Sequence, residues 1–217
     1  RQLAEPPKTD AREPGRVRAA IRHVIDTPEL AMPLVLMAIV GTLGLNFQVI
    51  LPLLARLTFE GGASSYAVLV SSMGIGSVAG ALVTGARGKT GMGVIATSAL
   101  AFGGLAMAAA VMPSLVSEIP VLALLGASAV TFAAAINSTI QLAVEPEMRG
   151  RVMALYSVVF LGTTPIGGPL VGFISESADP RLALALASIS GLIAAAGAWR
   201  ISDRTRKGVA TGSLRPG

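Results

Sequence analysis

The stretch IPVLALLGASAVTFAAAINSTIQLAV, residues 119–144, contains no Asp, Glu, Lys, Arg or His. A hydrocarbon core about 30 Å thick needs roughly 20 helical residues to cross it. This run has the length and carries no charge to desolvate. In lipid the backbone must satisfy its own hydrogen bonds, so a run of this kind is a helix. A spanning barrel would show segments of about 10 residues alternating apolar with polar, and this stretch does not alternate.

Five similar runs surround it. Leu30–Leu54, Tyr66–Ala86 and Gly91–Met112 precede it, and Val152–Ser175 and Leu182–Trp199 follow. The composition agrees, with 53% apolar and 13% charged residues against about 25% charged in an ordinary soluble domain. The 25 glycines would weaken soluble helices but are tolerated and used for close approach in membrane ones. The reading is an all-α membrane protein: a linker over 1–29, six transmembrane helices over 30–200 and a disordered cytoplasmic tail over 201–217. No cysteine is present, so disulfides and thiolate metal sites are excluded.

Basic residues set the orientation. With a cytoplasmic N-terminus, the inside segments 1–29, 87–90, 145–151 and 200–217 hold 6, 2, 2 and 5 Lys or Arg, 15 of the 17. The outside loops hold only Arg56 and Arg181, beside Glu60, Glu118, Glu176 and Asp179. The positive-inside rule then puts both termini in the cytoplasm. The pI near 10.4 is accounted for by contact with anionic lipid headgroups, without a nucleic-acid partner.

Residues 1–14 read as a linker rich in Pro, Lys, Asp and Glu. Arg16–Val24 reads as a short amphipathic helix at the membrane surface, carrying the lone His23. Thr27-Pro28-Glu29 is the expected start of the first span, with Thr27 as N-cap. The chain opens on Arg1 with no signal peptide before the first span, which leads us to expect further sequence upstream.

Inside the spans, Gly76/Gly80 and Gly168/Gly172 form pairs of the GxxxG kind, which let backbones approach. The fifth span contains Thr163-Thr164-Pro165-Ile166-Gly167-Gly168-Pro169. Neither proline can donate to the carbonyl four residues back, so this helix is expected to bend near its middle. Thr164, Pro165, Gly168, Pro169 and Gly172 are therefore candidate bend and rocking residues.

No catalytic constellation is present. The single His lies outside the spans, and no span holds an acid, so membrane zinc, serine and aspartyl proteases lack their residues. Arg87-Gly88-Lys89-Thr90 ends like a phosphate-cradling loop, but the preceding glycine spacing is wrong. Neither a cofactor nor a metal site is expected, and the chain is read as not an enzyme. A proton relay, which needs a carboxylate or histidine within the membrane, is expected elsewhere than in these spans.

What remains is neutral polar groups. Asn137 and Gln141 share a helix face at a spacing of four, and Asn46 and Gln48 lie past the middle of the first span. A buried amide satisfies its donors and acceptors either by an interhelical hydrogen bond or by facing a water-lined cavity. From the residues alone both readings stand. Tyr66 and Trp199 read as interfacial anchors.

The stretch Glu145-Pro146-Glu147-Met148-Arg149-Gly150-Arg151-Val152-Met153-Ala154-Leu155-Tyr156-Ser157, leading into Gly162–Gly172, resembles the loop between the tenth and eleventh helices of the major facilitator superfamily and the eleventh helix itself. More narrowly, it resembles the bacterial branch that includes enterobactin-exporter-like and transmembrane secretion effector proteins. The resemblance spans essentially the whole chain as a C-terminal six-helix half. Gly168-Pro169-Leu170-Val171-Gly172 partly matches the glycine-proline pattern of the family's exporters. The family's glycine and basic loop would fall at Gly80–Lys89. Arg87 and Lys89 keep its basic end, while Thr84 and Gly85 stand where an acid is usual, so Arg87 and Lys89, like Arg149 and Arg151, are read as cytoplasmic-loop anchors.

The resemblance implies that the seventh and tenth helices line a central cavity, placing Asn46 and Gln48 on one and Asn137 and Gln141 on the other. Gln48 is turned roughly 200° from Asn46, so the two do not face the cavity together, and Gln141 lies nearer the cytoplasmic mouth. It further implies a bacterial cytoplasmic membrane, a partner N-terminal six-helix half and a small-molecule substrate. The expected function is one half of a secondary active transporter, an exporter of small, partly apolar molecules. The alternative is a self-contained six-helix module without transport activity.

Overall fold

A computed structural model of the chain describes residues 21–22 and 24–212, with side chains through Asp203. The linker expected over 1–14, His23, most of the surface helix expected over Arg16–Val24 and residues 213–217 lie outside the described residues. Ile21, Arg22 and Val24–Asp26 are helical.

All the regular elements among the described residues are helices: α1 (Pro28–Leu43), α2 (Phe47–Leu53) with a π-helical turn over Leu54–Thr58, α3 (Ala63–Arg87), α4 (Met92–Val111), α5 (Leu115–Ala143), α6 (Pro146–Ser177) and α7 (Pro180–Gly212). They make six membrane-crossing lengths, α1 and α2 with the π turn counting as one. The last helix departs from the sequence reading: its backbone stays helical to Gly212, where a disordered tail was expected from residue 201.

Helix ends follow local chemistry. Ser114 and Ser117 form a capping box at α5, the Ser117 amide donating to Ser114 Oγ at 3.3 Å and the Ser114 amide to Ser117 Oγ at 3.2 Å. Thr27 does precede Pro28, but its hydroxyl makes no capping bond; its backbone carbonyl accepts from Leu30 and Ala31.

Small residues set how the helices meet. Lipid tails are as apolar as leucine, so close backbone approach and dispersion hold membrane helices together. Gly76 and Gly80 of α3 lie against the backbone of Ala123 and Ala127 on α5, and Gly126 of α5 against Met73. A Cβ at Gly80 would stand 2.6 Å from the Ala127 Cα. Across α4 and α7, Gly103 and Gly191 face one another, and Phe102 is fully buried beside them. Phe47 of α2 meets Phe102 edge to face at 6.2 Å.

The break in a helix lies in the first span. Helix α1 stops at Leu43 and α2 resumes at Phe47. The break frees carbonyls that lipid cannot satisfy. Val40 O accepts from the amides of Gly44 and Leu45, while Asn46 Nδ2 donates to Thr42 O at 2.8 Å and to Gly41 O at 3.3 Å. The Asn46 carbonyl then accepts from Val49 and Ile50 and starts α2. One residue thus closes one helix and opens the next. By contrast α6 runs unbroken from Pro146 to Ser177, with Pro165 and Pro169 on its exposed side.

The close approach of α1 to α6 uses Gly41 against Thr163 and Gly167 against Thr42 and Asn46. The expected pair is looser: a Cβ at Gly168 or Gly172 would meet only Val49, at 3.9 and 3.3 Å.

Replacing Asn46 with Ala should cost about 2 kcal/mol, because two buried carbonyls lose their donor. The check is the thermal transition of the purified complete protein. An unchanged midpoint would show that Asn46 does not hold the break.

Candidate functional site

Asn137 lies in the penultimate turns of α5 and is half-buried; Gln141, one turn on, is exposed. Gln141 Nε2 donates to Asn137 Oδ1 at 2.5 Å. Tyr156, on the facing stretch of α6, lies close enough to the Asn137 amide to feel it electrostatically. Phe160, one turn further along α6, stacks on Tyr156 with ring centres 6.0 Å apart and planes 10° from parallel. The short connection from Ala143 to Pro146 brings these two helix ends together.

The cluster therefore joins two amides and two aromatic faces. Gln141 keeps its carbonyl oxygen and one N–H, and Asn137 its NH₂, for a further partner. Tyr156 is buried, while Phe160 is 38% exposed and offers an apolar edge. A few placed polar groups on an apolar wall suit a small molecule with a polar end.

The four expected cavity residues do not act together. Asn46 has 0% exposure, its side chain turned inward onto the freed carbonyls of Gly41 and Thr42. Gln48 is exposed on the other side of α2. Only Asn137 and Gln141 form a cluster, through partners on α6 that sequence reasoning missed. The spacing of Tyr156 and Phe160 at one helical turn was the available signal.

Among the bend candidates, Thr164 is half-buried, Pro165 and Pro169 are exposed, and Gly168 is buried. Arg87 ends α3 and Lys89 lies in the tight loop after it, where Gly88 and Gly91 take φ of 56° and 104°. Arg149 and Arg151 belong to the first turns of α6 and not to a loop; both are exposed, and Arg151 Nη1 donates to Met148 Sδ at 3.4 Å.

A second polar feature sits at the opposite end of α5. Glu118, in the first turn, has 0% exposure, and neither carboxyl oxygen has a hydrogen-bond partner. Arg181, in the first turn of α7, is the cation that acts on it electrostatically. Arg181 Nη2 donates to Met112 O at 2.8 Å, capping the end of α4. The uncharged runs excluded Glu118 from the spans, yet the helix begins at Leu115 and the carboxyl is enclosed. Among the described residues, no three His, Cys, Asp or Glu gather at a metal-binding distance.

The exposed surface completes the picture. The apolar stretches of α3 and α6 are each 22% buried, against 44–56% for the other spans. Ile75, Val78 and Leu82 on α3 and Val158, Leu161, Ile166 and Phe173 on α6 are bare.

A family model described as transmembrane secretion effector matches residues 8–212. No curated protein and no solved structure matches the chain.

Proposed function

The chain belongs to the transmembrane secretion effector family of the major facilitator superfamily, and from that premise we propose that it is the C-terminal half of a secondary transporter that exports small, partly apolar molecules by alternating access. The family is one of transporters, and the six apolar helices make the chain a multi-pass membrane protein. The observation that carries the finer reading is the Asn137–Gln141–Tyr156–Phe160 cluster, whose free amide groups and open ring edge match a substrate with one polar end.

The bare faces of α3 and α6 fit a second six-helix bundle packed against this one. Rocking of the two bundles would then open the cluster to one side of the membrane at a time. The broken first span and the paired prolines of α6 are where backbone geometry can change at least cost. The excess of basic residues at one set of loops supports an orientation with both ends of the chain inside, and on this reading the membrane is a bacterial cytoplasmic one. Its partners on this reading are membrane lipids, the other bundle and the substrate.

Substitution tests the cluster. In the complete protein, Gln141→Ala and Asn137→Ala should each raise the half-saturating concentration of a fluorescent, partly apolar dye about tenfold, the cost of one good hydrogen bond. Asn46→Ala should lower the amount of folded transporter and leave that concentration unchanged. Equal affinity in all three variants and the parent would count against the assignment.

A further inference from the structure

Helices α3 and α4 follow one another in sequence through a loop of four residues, Gly88–Gly91, yet both pack on α5 rather than on each other. A cleft of about 570 Å³ separates them. Its floor is α5, through Leu124, Ala127, Ser128 and Thr131, and its walls include Ala79 and Val83 of α3 and Ala101 and Leu105 of α4. The arrangement is pinned at one end. The Gly91 amide donates to Thr139 Oγ1 at 3.0 Å, and Thr84 Oγ1 meets Thr131 Oγ1 at 2.9 Å. The loop is thereby held on α5 while the two helices stay apart.

Three properties describe what fits there. The walls are largely apolar and mostly of small side chains; the hydroxyls of Thr84, Thr97, Ser98, Ser128 and Thr131 bond within their own helices or to one another, so a flexible chain can lie against them. The stretch of α4 that lines the cleft, Val94 to Leu105, is about 16 Å long at 1.5 Å per residue. That is close to half of a hydrocarbon core of about 30 Å, the depth of one leaflet. Arg87 and Lys89 stand at the mouth, both exposed, and no acid lines the cleft. The distribution of Lys and Arg along the chain puts that mouth on the cytoplasmic side.

We propose that the cleft between α3, α4 and α5 binds a phospholipid of the cytoplasmic leaflet, with an acyl chain along the small-residue walls and an anionic headgroup on Arg87 and Lys89. Basic pockets between spans on the cytoplasmic side are suited to such headgroups. The site is separate from the Asn137–Gln141 cluster, and it accounts for a pair of cations at the turn from α3 to α4 that the transport reading leaves as general anchors. A bound chain would also supply the wall contacts that α3 and α4 do not make with each other.

Native mass spectrometry of the complete protein tests this, with phosphatidylglycerol and phosphatidylcholine of identical chains as probes. The protein should retain phosphatidylglycerol over phosphatidylcholine. Arg87→Gln with Lys89→Gln should reduce that preference about 30-fold, from two headgroup cations. Arg149→Gln with Arg151→Gln, at the same membrane surface, should leave it intact. Thr97→Leu with Ala101→Leu fills the cleft from the exposed side of α4 and keeps both cations; it should release the lipid. Three results would overturn the proposal: equal loss in the Arg149/Arg151 variant, lipid retained in the filled cleft, or equal displacement by chain-free glycerol phosphate. A dimer that becomes a monomer on filling, with lipid binding unchanged, would assign the cleft to a second copy and overturn it as well.

Discussion

Replacing Gly76 or Gly80 with Leu is expected to leave almost no folded protein in the membrane. The two glycines lie on one face of α3, directly against the backbone of Ala123 and Ala127. A side chain at either site meets carbonyl and Cα atoms of a helix that cannot bend away locally, and not the movable end of a flexible side chain. Inserting atoms into a fitted contact costs about 1–3 kcal/mol and more where the backbone must move. Here the upper end or beyond applies, against a total stability of roughly 5–15 kcal/mol. Gly74 and Gly85, on the same helix, have no atom within 4 Å of a built Cβ. Gly74→Ala and Gly85→Ala should therefore be tolerated, since alanine favours the helix. The measurement is the monodisperse yield of the complete protein after extraction. Full yield from Gly80→Leu would mean that α3 and α5 do not meet as described.

The second large effect concerns Arg181. Arg181→Met removes the cation beside Glu118 and the donor to Met112 O together. A buried carboxyl already without hydrogen bonds then has no opposing charge, and the last turn of α4 loses its cap. Burial already raises the Glu118 carboxyl to about 7 against the pull of Arg181. Without the cation it therefore takes up a proton near neutral pH, and the loss is mainly that of the cap. The full cost of about 3 kcal/mol is expected at about pH 9, where the carboxylate is forced to stay ionised. Glu118→Met alone should be neutral or stabilising, since an apolar chain of similar shape replaces an unsatisfied one. In the double variant most of the Arg181 loss at that higher pH should be recovered. That recovery separates a charge effect from simple loss of the cap, which Glu118→Met cannot repair. The readout is the thermal midpoint of each variant at that higher pH. An Arg181→Met loss that is the same with or without Glu118 would assign the whole effect to the Met112 carbonyl.

Much of the architecture was legible because lipid leaves few options for a backbone. Uncharged runs of span length had to be helices, and the described residues hold six helices long and apolar enough to cross a membrane. The Gly76/Gly80 pair was legible for the same reason: glycine at a spacing of four in a span is a contact face. The break at Gly44–Asn46 was not, since glycine is ordinary in membrane helices and nothing local distinguishes an asparagine that caps from one that lines a cavity. The bonds of Asn46 to Gly41 and Thr42, and the packing of Gly167 of α6 against it, become visible only in the folded chain. Prolines drew attention to α6, which is helical from Pro146 to Ser177 with both prolines inside it.

Glu118 shows a related limit. Counting charges put it in an outside loop, whereas its enclosure depends on where the neighbouring helix ends fall, which is tertiary information. Tyr156 and Phe160 were visible as residues, but the approach of Tyr156 to Asn137 required knowing that α5 and α6 face each other at that level.

The most direct test of the account is reciprocal accessibility of its two sides. Gln48 is exposed on α2 toward the outer end of the first span, and Gln141 is exposed toward the opposite end of α5. The chain has no cysteine of its own, so Gln48→Cys and Gln141→Cys in an otherwise cysteine-free complete protein give single reporters. Each would be labelled with a membrane-impermeant maleimide while transported dye is varied. Alternating access predicts that conditions raising the labelling rate at position 141 lower it at position 48, and the reverse. Rates that change independently, or both positions reacting fully at once, would contradict it.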